Sequence, residues 1–305
     1  MFGQIVSLVY FWNNGVDMMQ KNHLGETPMH FSCCFGSLES VKFLLDIGCD
    51  IDSMTLQNQT PVFYSVMNKK FDLVRFLVSE GTNIHVEDSN KNNLVHAALL
   101  SDANEIAAYL IEKGVDIIYQ NARGQTPIMI ASQKMNLEIV LLLIRKGGDV
   151  TFVDSIGNSM IDYAVRMRSK QLVEIILKSA CFELERPAIH AASMGETEIL
   201  NTLFQYGLEP NFKILCASIL SNSLDTVLAS LNGGCSVKQT DDLKRTPLHI
   251  ASLSASPQII CCLIEEGAQV NAQDLNKQTP LNYALSRGEK STIVLLQKMG
   301  AKANF

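Results

Sequence analysis

Cys181, Glu185 and His190 fall within ten residues of one another. A thiol beside an imidazole is the pairing that makes a sulfur nucleophile. The surroundings argue against that use: His190 falls inside a short helical run, and Cys181 just past the end of the run before it. Two carboxylate pairs, Asp241–Asp242 and Glu265–Glu266, have the residue type for proton transfer. They fall in a loop and at a helix end, where solvated surface is the expectation. The chain has no phosphate-cradling GxxxxGKS/T or GxGxxG sequence, no HExxH and no GxSxG. Its eight cysteines, Cys33, Cys34, Cys49, Cys181, Cys216, Cys235, Cys261 and Cys262, form no Cys-x-x-Cys pair, and no histidine follows at zinc spacing. They read as free thiols serving as small hydrophobes in a reducing compartment. The expectation is a chain with no catalytic residues, no cofactor and no metal.

Composition narrows the partner. The 305 residues are 47% hydrophobic with a net charge of −6, and no lysine/arginine cluster is long enough to follow a phosphate backbone. Nucleic acid is not an expected partner. The apolar start, MFGQIVSLVYFW, lacks a basic leader and a cleavage site and is too short to cross a bilayer. No direct membrane insertion is expected, and the chain reads as a cytoplasmic or nuclear protein.

The elements that position these residues are set by a repeat. GETPMHFS, with Thr27 and Pro28, is followed 33 residues later by NQTPVFYS, at Thr60 and Pro61. The same slot recurs at Asn93, Thr126 and Ser159, and near the C-terminus at Thr246 and Thr279. The 87 residues from Ser159 to Thr246 are filled by two steps of 27 and one of 33, placing Arg186 and Lys213 in the slot. A marker not used in that fit supports it. A glycine lies 21 residues after the slot at Gly48, Gly81, Gly114, Gly147, Gly207, Gly234, Gly267 and Gly300, and only Ala180 departs. Gly3 to Gly15 matches Gly36 to Gly48, so residues 1–21 read as a half repeat, followed by nine units in one array over 1–305.

The spacings suit two antiparallel helices per unit. The slot threonine is an N-cap whose oxygen can accept a first-turn N–H. The proline after it takes the first helical position, where no N–H is needed. The second helix carries apolar residues at i, i+3 and i+4, as in Val41, Leu44 and Leu45. The closing glycine supplies a left-handed helix end. A lone unit cannot bury enough apolar surface, so units must stack.

The 33-residue period, the TPLH at Thr246–His249 with its relatives, and the later apolar run ending in glycine resemble the ankyrin repeat family over essentially the whole chain. The resemblance implies an all-α solenoid of helix-turn-helix units with β-hairpin-like fingers. It implies that His30, His96 and His249, fourth in the motif, steady the turn by bonding neighbouring backbone; Asp162 takes that place in its unit. It also implies a protein partner, held by finger tips and the exposed side of the first helix along a concave face. Those positions are His23, Leu24, Cys34 and Phe35 in the first full unit and Leu56, Gln57, Met67 and Asn68 in the second. Later units give Leu100, Arg123, Lys134, Ile156, Met167, Met194, Leu220, Leu243, Leu253 and Leu275. The set is apolar for a face that meets water, which suits a hydrophobic groove for a peptide or helix or partial burial against adjacent fingers.

The two short steps remove six residues each from connections, so stub fingers are expected at 181–186 and 208–213. They would notch the rim, or change the curvature between residues 1–180 and 208–305. The chain opens on a second helix and closes on GAKANF, the start of a finger, as a segment or short isoform of a longer protein would. The function expected is a monomeric scaffold, adaptor or inhibitor. The alternatives are the regulatory segment of a larger channel or enzyme, and an effector that a microbe directs at its host.

Overall fold

The structure is a computed structural model and describes residues 2–304, with no account of the side chains of residues 2–4. Nineteen helices are present among the described residues, with no strand. They fall into two compact units, residues 1–160 and 161–305.

In the first unit α1 (Phe2–Asn13) precedes four helix pairs. These are α2 (Pro28–Phe35) with α3 (Leu38–Asp46), α4 (Pro61–Met67) with α5 (Phe71–Ser79), α6 (Leu94–Leu100) with α7 (Asn104–Glu112), and α8 (Pro127–Gln133) with α9 (Leu137–Arg145). First helices pack on first helices, α2 on α4, α4 on α6 and α6 on α8, and each also packs on its own second helix. The division falls at the start of α10 (Met160–Arg166), which α11 (Lys170–Ser179) follows. In the second unit α12 (Glu185–Ser193) pairs with α13 (Thr197–Gln205), α14 (Phe212–Leu220) with α15 (Leu224–Asn232), α16 (Pro247–Ser254) with α17 (Pro257–Glu265), and α18 (Pro280–Arg287) with α19 (Lys290–Lys298).

The short first helices supply more of the core than the second helices do. Val62, Phe63 and Val66 of α4, and Leu94, Val95 and Ala98 of α6, are fully buried. The second helices bury one stripe, such as Leu73, Val74 and Leu77 of α5. Thr27, Thr60, Thr126, Thr246 and Thr279 are extended N-caps with proline directly after them.

The slot threonine does not act as expected everywhere. The Thr60 and Thr126 hydroxyls are buried without a hydrogen-bond partner among the described residues. The reason is the residue in fourth place, Phe63 and Met129, which offers nothing polar. Where that residue is histidine the hydroxyl turns to it. Thr246 Oγ1 lies 2.8 Å and its backbone N 3.0 Å from His249 Nδ1, while Nε2 lies 3.1 Å from the Gln278 carbonyl. A carbonyl can only accept, so the proton sits on Nε2, and Nδ1 accepts the Thr246 N–H and O–H. His30 repeats this with Thr27 and the Gln59 carbonyl. Asn282 does the same work, accepting the Thr279 N–H at 3.0 Å and donating to the Asn304 carbonyl at 2.7 Å. Each of these side chains joins its own turn to the next connection.

His96 is less comfortable. Asn93 caps α6 by accepting the Val95 and His96 N–H groups, and its Oδ1 also lies 2.7 Å from His96 Nδ1. Nε2 lies 2.9 Å from the Gln125 carbonyl. Both neighbours are acceptors, and a neutral ring can satisfy only one.

The two shortened units also start differently. Their helices begin at Glu185 and Phe212 with Leu184 and Asn211 as N-caps, two positions before the Arg186 and Lys213 slots. Leu184 enters its helix in a helical conformation, whereas Asn211 is extended and caps by accepting the Ile214 N–H at 3.0 Å. Ala180, which breaks the glycine pattern, leaves α11 extended at φ −160°, so no left-handed residue is needed there.

Candidate binding surface

Each full finger is a tight loop closed by one side chain. Asn22, Thr55, Asp88, Asn121, Asp154, Asp241 and Asp274 stand five residues before the slot. Each accepts the backbone N–H groups two and four residues on. Asp88 Oδ1, for example, takes the Asn90 and Asn92 N–H groups at 2.9 Å, and Asp274 Oδ1 those of Asn276 and Gln278 at 2.8 Å. Such self-closing turns are what Asn, Asp and Thr favour. Sequence reasoning missed this column and took Asp241 for plain surface, yet a polar residue at that offset in all seven fingers was there to be read. The fingers carry two isolated antiparallel bridges, Glu87 with Asn93 and Val153 with Ser159.

Consecutive tips are tied through their backbone. The Leu56 N–H donates to the Leu24 carbonyl at 2.9 Å, Ser89 to Gln57 at 2.9 Å, Ala122 to Asn90 at 2.8 Å and Ser155 to Arg123 at 3.0 Å; in the second unit Leu275 donates to Leu243 at 2.9 Å. Gly124 shows how close the tips come. Its φ is +68°, and a Cβ there would stand 2.6 Å from Ser155 N.

The tip bonds bring Leu24 to Leu56 and Leu243 to Leu275. Leu56 is 75% and Ile156 73% exposed. His23, Leu24, Gln57, Asn68, Leu100, Arg123, Lys134, Met167, Leu220, Leu243, Leu253 and Leu275 are exposed as well, as is Phe35. Cys34, Met67 and Met194 are half-buried. Leu100 and Arg123 meet at a cavity of about 240 Å³ lined also by Asn90 and Asn121. Lys134 instead pairs with Asp102 at 2.9 Å, and that ammonium holds the Asp102 carboxyl below its usual range. Sequence reasoning passed over the aromatic surface of α1, where Tyr10, Phe11 and Trp12 are exposed.

The shortened connections leave a cavity of about 510 Å³ in the second unit, lined by Glu183, Glu185, Arg186, Ile189, His190 and Lys213. Lys213 Nζ pairs with Glu185 at 3.2 Å. Arg186 Nε lies 3.8 Å from the buried Asp162 carboxylate, in place of the ring-to-finger link seen at His249. Cys181 is exposed. The division between compact units, at residue 160, lies upstream of both shortened connections.

Electrostatics discourage thiol and imidazole chemistry at the buried positions. Burial pushes the Cys33 and Cys216 thiols up to about 12, where little nucleophilic thiolate forms near neutral pH. Burial likewise lowers His30 and His249, and brings His96 down to about 4. Among the described residues no group of three or more His, Cys, Asp or Glu could hold a metal ion, and no helix is long and apolar enough to cross a membrane.

A family model described as ankyrin repeats (3 copies) matches residues 1–90, 47–121, 68–154, 94–185 and 213–305. A search of the curated proteins returns no match to the chain.

Proposed function

The chain belongs to the ankyrin repeat family, and from that premise we propose that it is a non-catalytic module that holds another protein. Repeats of this family are protein-interaction modules in general. What supports a specific surface here is the division of labour at the finger tips: their backbone is tied from one finger to the next, and their side chains are left in solvent. In the first unit the surface is Leu24, Leu56, Ile156 and the first-helix ends Phe35, Met67 and Leu100. In the second it is Leu220, Leu243, Leu253 and Leu275. Exposed apolar side chains on rigid loops suit a peptide or domain with an apolar face. In this reading the array is monomeric, binds no nucleic acid in keeping with its negative charge, and works in a reducing compartment such as cytoplasm, in keeping with eight free cysteines.

The test is affinity capture from the native cell with mass spectrometry of what is retained. Leu56→Asp and Leu243→Asp are expected to lose the captured protein while circular dichroism stays that of the parent. Retention of the same protein by both variants would overturn the assignment of this surface.

A further inference from the structure

The first unit, residues 1–160, holds 17 Asp and Glu against 11 Lys and Arg, and the two signs are sorted by element. Acids sit where the fold uses them. Glu39, Asp72, Glu105 and Glu138 stand in the first turns of α3, α5, α7 and α9, where the helix dipole favours negative charge. Asp88 and Asp154 are buried and close their fingers by accepting backbone N–H groups. The tips and the ends of the first helices carry the opposite sign. Lys91 and Arg123 stand on consecutive tips, Lys69 and Lys70 just past the end of α4, and Lys134 just past the end of α8. At those positions Asp102, past the end of α6, is the single carboxylate. The cations are neighbours. Lys134 pairs with Asp102 at 2.9 Å, and that ammonium, with Lys69 after it, holds the Asp102 carboxyl below its usual range. The ends of α4, α6 and α8 therefore share one field. Arg123 lines the cavity that Leu100 of α6 also lines, and Lys91 follows Asn90, whose carbonyl accepts the Ala122 N–H at 2.8 Å. Lys69, Lys91, Arg123 and Lys134 are exposed. Among the described residues no carboxylate pairs with Lys69, Lys91 or Arg123.

We propose that the first unit holds an acidic segment of a partner protein, one that mixes carboxylates with apolar side chains. This rests on the surface assigned above and names the chemistry of its occupant. Apolar side chains of the segment meet Leu56, Met67 and Leu100; its carboxylates meet Lys69, Lys91, Arg123 and Lys134. Charge complementarity carries the choice. A unit that is acidic overall repels an acidic segment over most of its surface and attracts it on this face, so the sorted charge sets where the segment lands. A basic segment would be drawn instead to the second helices. Nucleic acid would satisfy the cations but would set phosphate against Leu56 and Leu100, and these tips carry no Phe, Tyr or Trp on which a base could stack.

The experiment titrates the 305-residue protein by calorimetry with a short synthetic peptide of mixed leucine and glutamate, and with the same peptide carrying glutamine for every glutamate. The expected result is saturable binding of the glutamate peptide that weakens as salt rises. Affinity is about tenfold or more lower for the glutamine peptide and for Arg123→Glu. Arg123→Gln and Lys91→Asn guard against loss of fold and are expected to weaken binding too; asparagine suits the left-handed backbone of Lys91, at φ 57°. Leu243→Asp, in the second unit, leaves binding unchanged. Equal binding of the two peptides, lost in Leu56→Asp, would overturn the acidic occupant and leave the surface standing. Binding that neither Arg123→Glu nor Leu56→Asp weakens would overturn both. Absence of saturable binding by the glutamate peptide would overturn the acidic occupant, while capture from the cell that Leu56→Asp still abolishes would keep the surface. An oligothymidylate that binds more tightly than the peptide and is lost in Arg123→Glu would overturn it in favour of nucleic acid. Self-association of the unliganded protein that Arg123→Glu abolishes would overturn it in favour of a second copy.

Discussion

At His249 the link from one repeat to the next is a neutral ring bonded to a finger; at Asp162, in the same compact unit, it is a carboxylate facing a guanidinium. The difference follows from chain length. A full finger delivers the Gln278 carbonyl to the His249 ring. Six residues fewer, and the connection instead brings Arg186 toward the residue in the same fourth place. The acceptor is lost, so the residue there must find a partner of another kind, and a buried acid finds a cation. The joint is preserved in position while its chemistry changes.

The largest effect that would sharpen this contrast is expected from His249→Ala. It strands the Thr246 N–H and hydroxyl and the Gln278 carbonyl in a buried turn, at roughly 1–3 kcal/mol for each group left unpaired. Urea unfolding should show a loss of about 4 kcal/mol; under 1 kcal/mol would mean that the ring is not the joint. Acid comes next. Rings lowered by burial stay neutral in the folded chain while the unfolded chain takes up protons. Stability is therefore complete above the ordinary histidine value and is lost as pH falls from about 6.5 toward the folded value of about 4 at His96. For His96 alone this is on the order of 3 kcal/mol, and His96→Gln should flatten that part of the stability profile. Arg186→Met removes the cation facing Asp162. Arg186 is half exposed, so about 1–2 kcal/mol is expected, measured as a lowered midpoint for the second unit alone. The smallest effect marks the units that lack a joint of either kind. Thr60→Val removes a buried hydroxyl with no partner and should be neutral or slightly stabilising, whereas Thr246→Val should cost about 1 kcal/mol. Equal losses would erase the distinction.

The helix pairs were legible because a 33-residue period repeats two independent marks, the slot and the closing glycine. The exposure of Leu56 and Leu243 was legible for the same reason, since position within a unit fixes which way a residue faces. The cap shift to Leu184 and Asn211 was not, because the slot marks a column of the repeat, whereas the first helical residue depends on the length of the connection before it. The ring chemistry was half legible. That a histidine in fourth place would bond backbone could be anticipated; that Thr60 would be left without a partner depends on Phe63, whose meaning appears only when the turn is built.

The bond from Leu56 to Leu24 uses nothing that distinguishes leucine from any other residue with a free N–H. The closing side chain sits elsewhere, on Asn22 or Thr55, and the glycine that permits close approach sits elsewhere again. On the function proposed above, scaffold and specificity are written in different letters of the same loop. A tip side chain can be exchanged while the backbone tie stays in place, so on that proposal a chain built this way can change what it recognises without changing its shape.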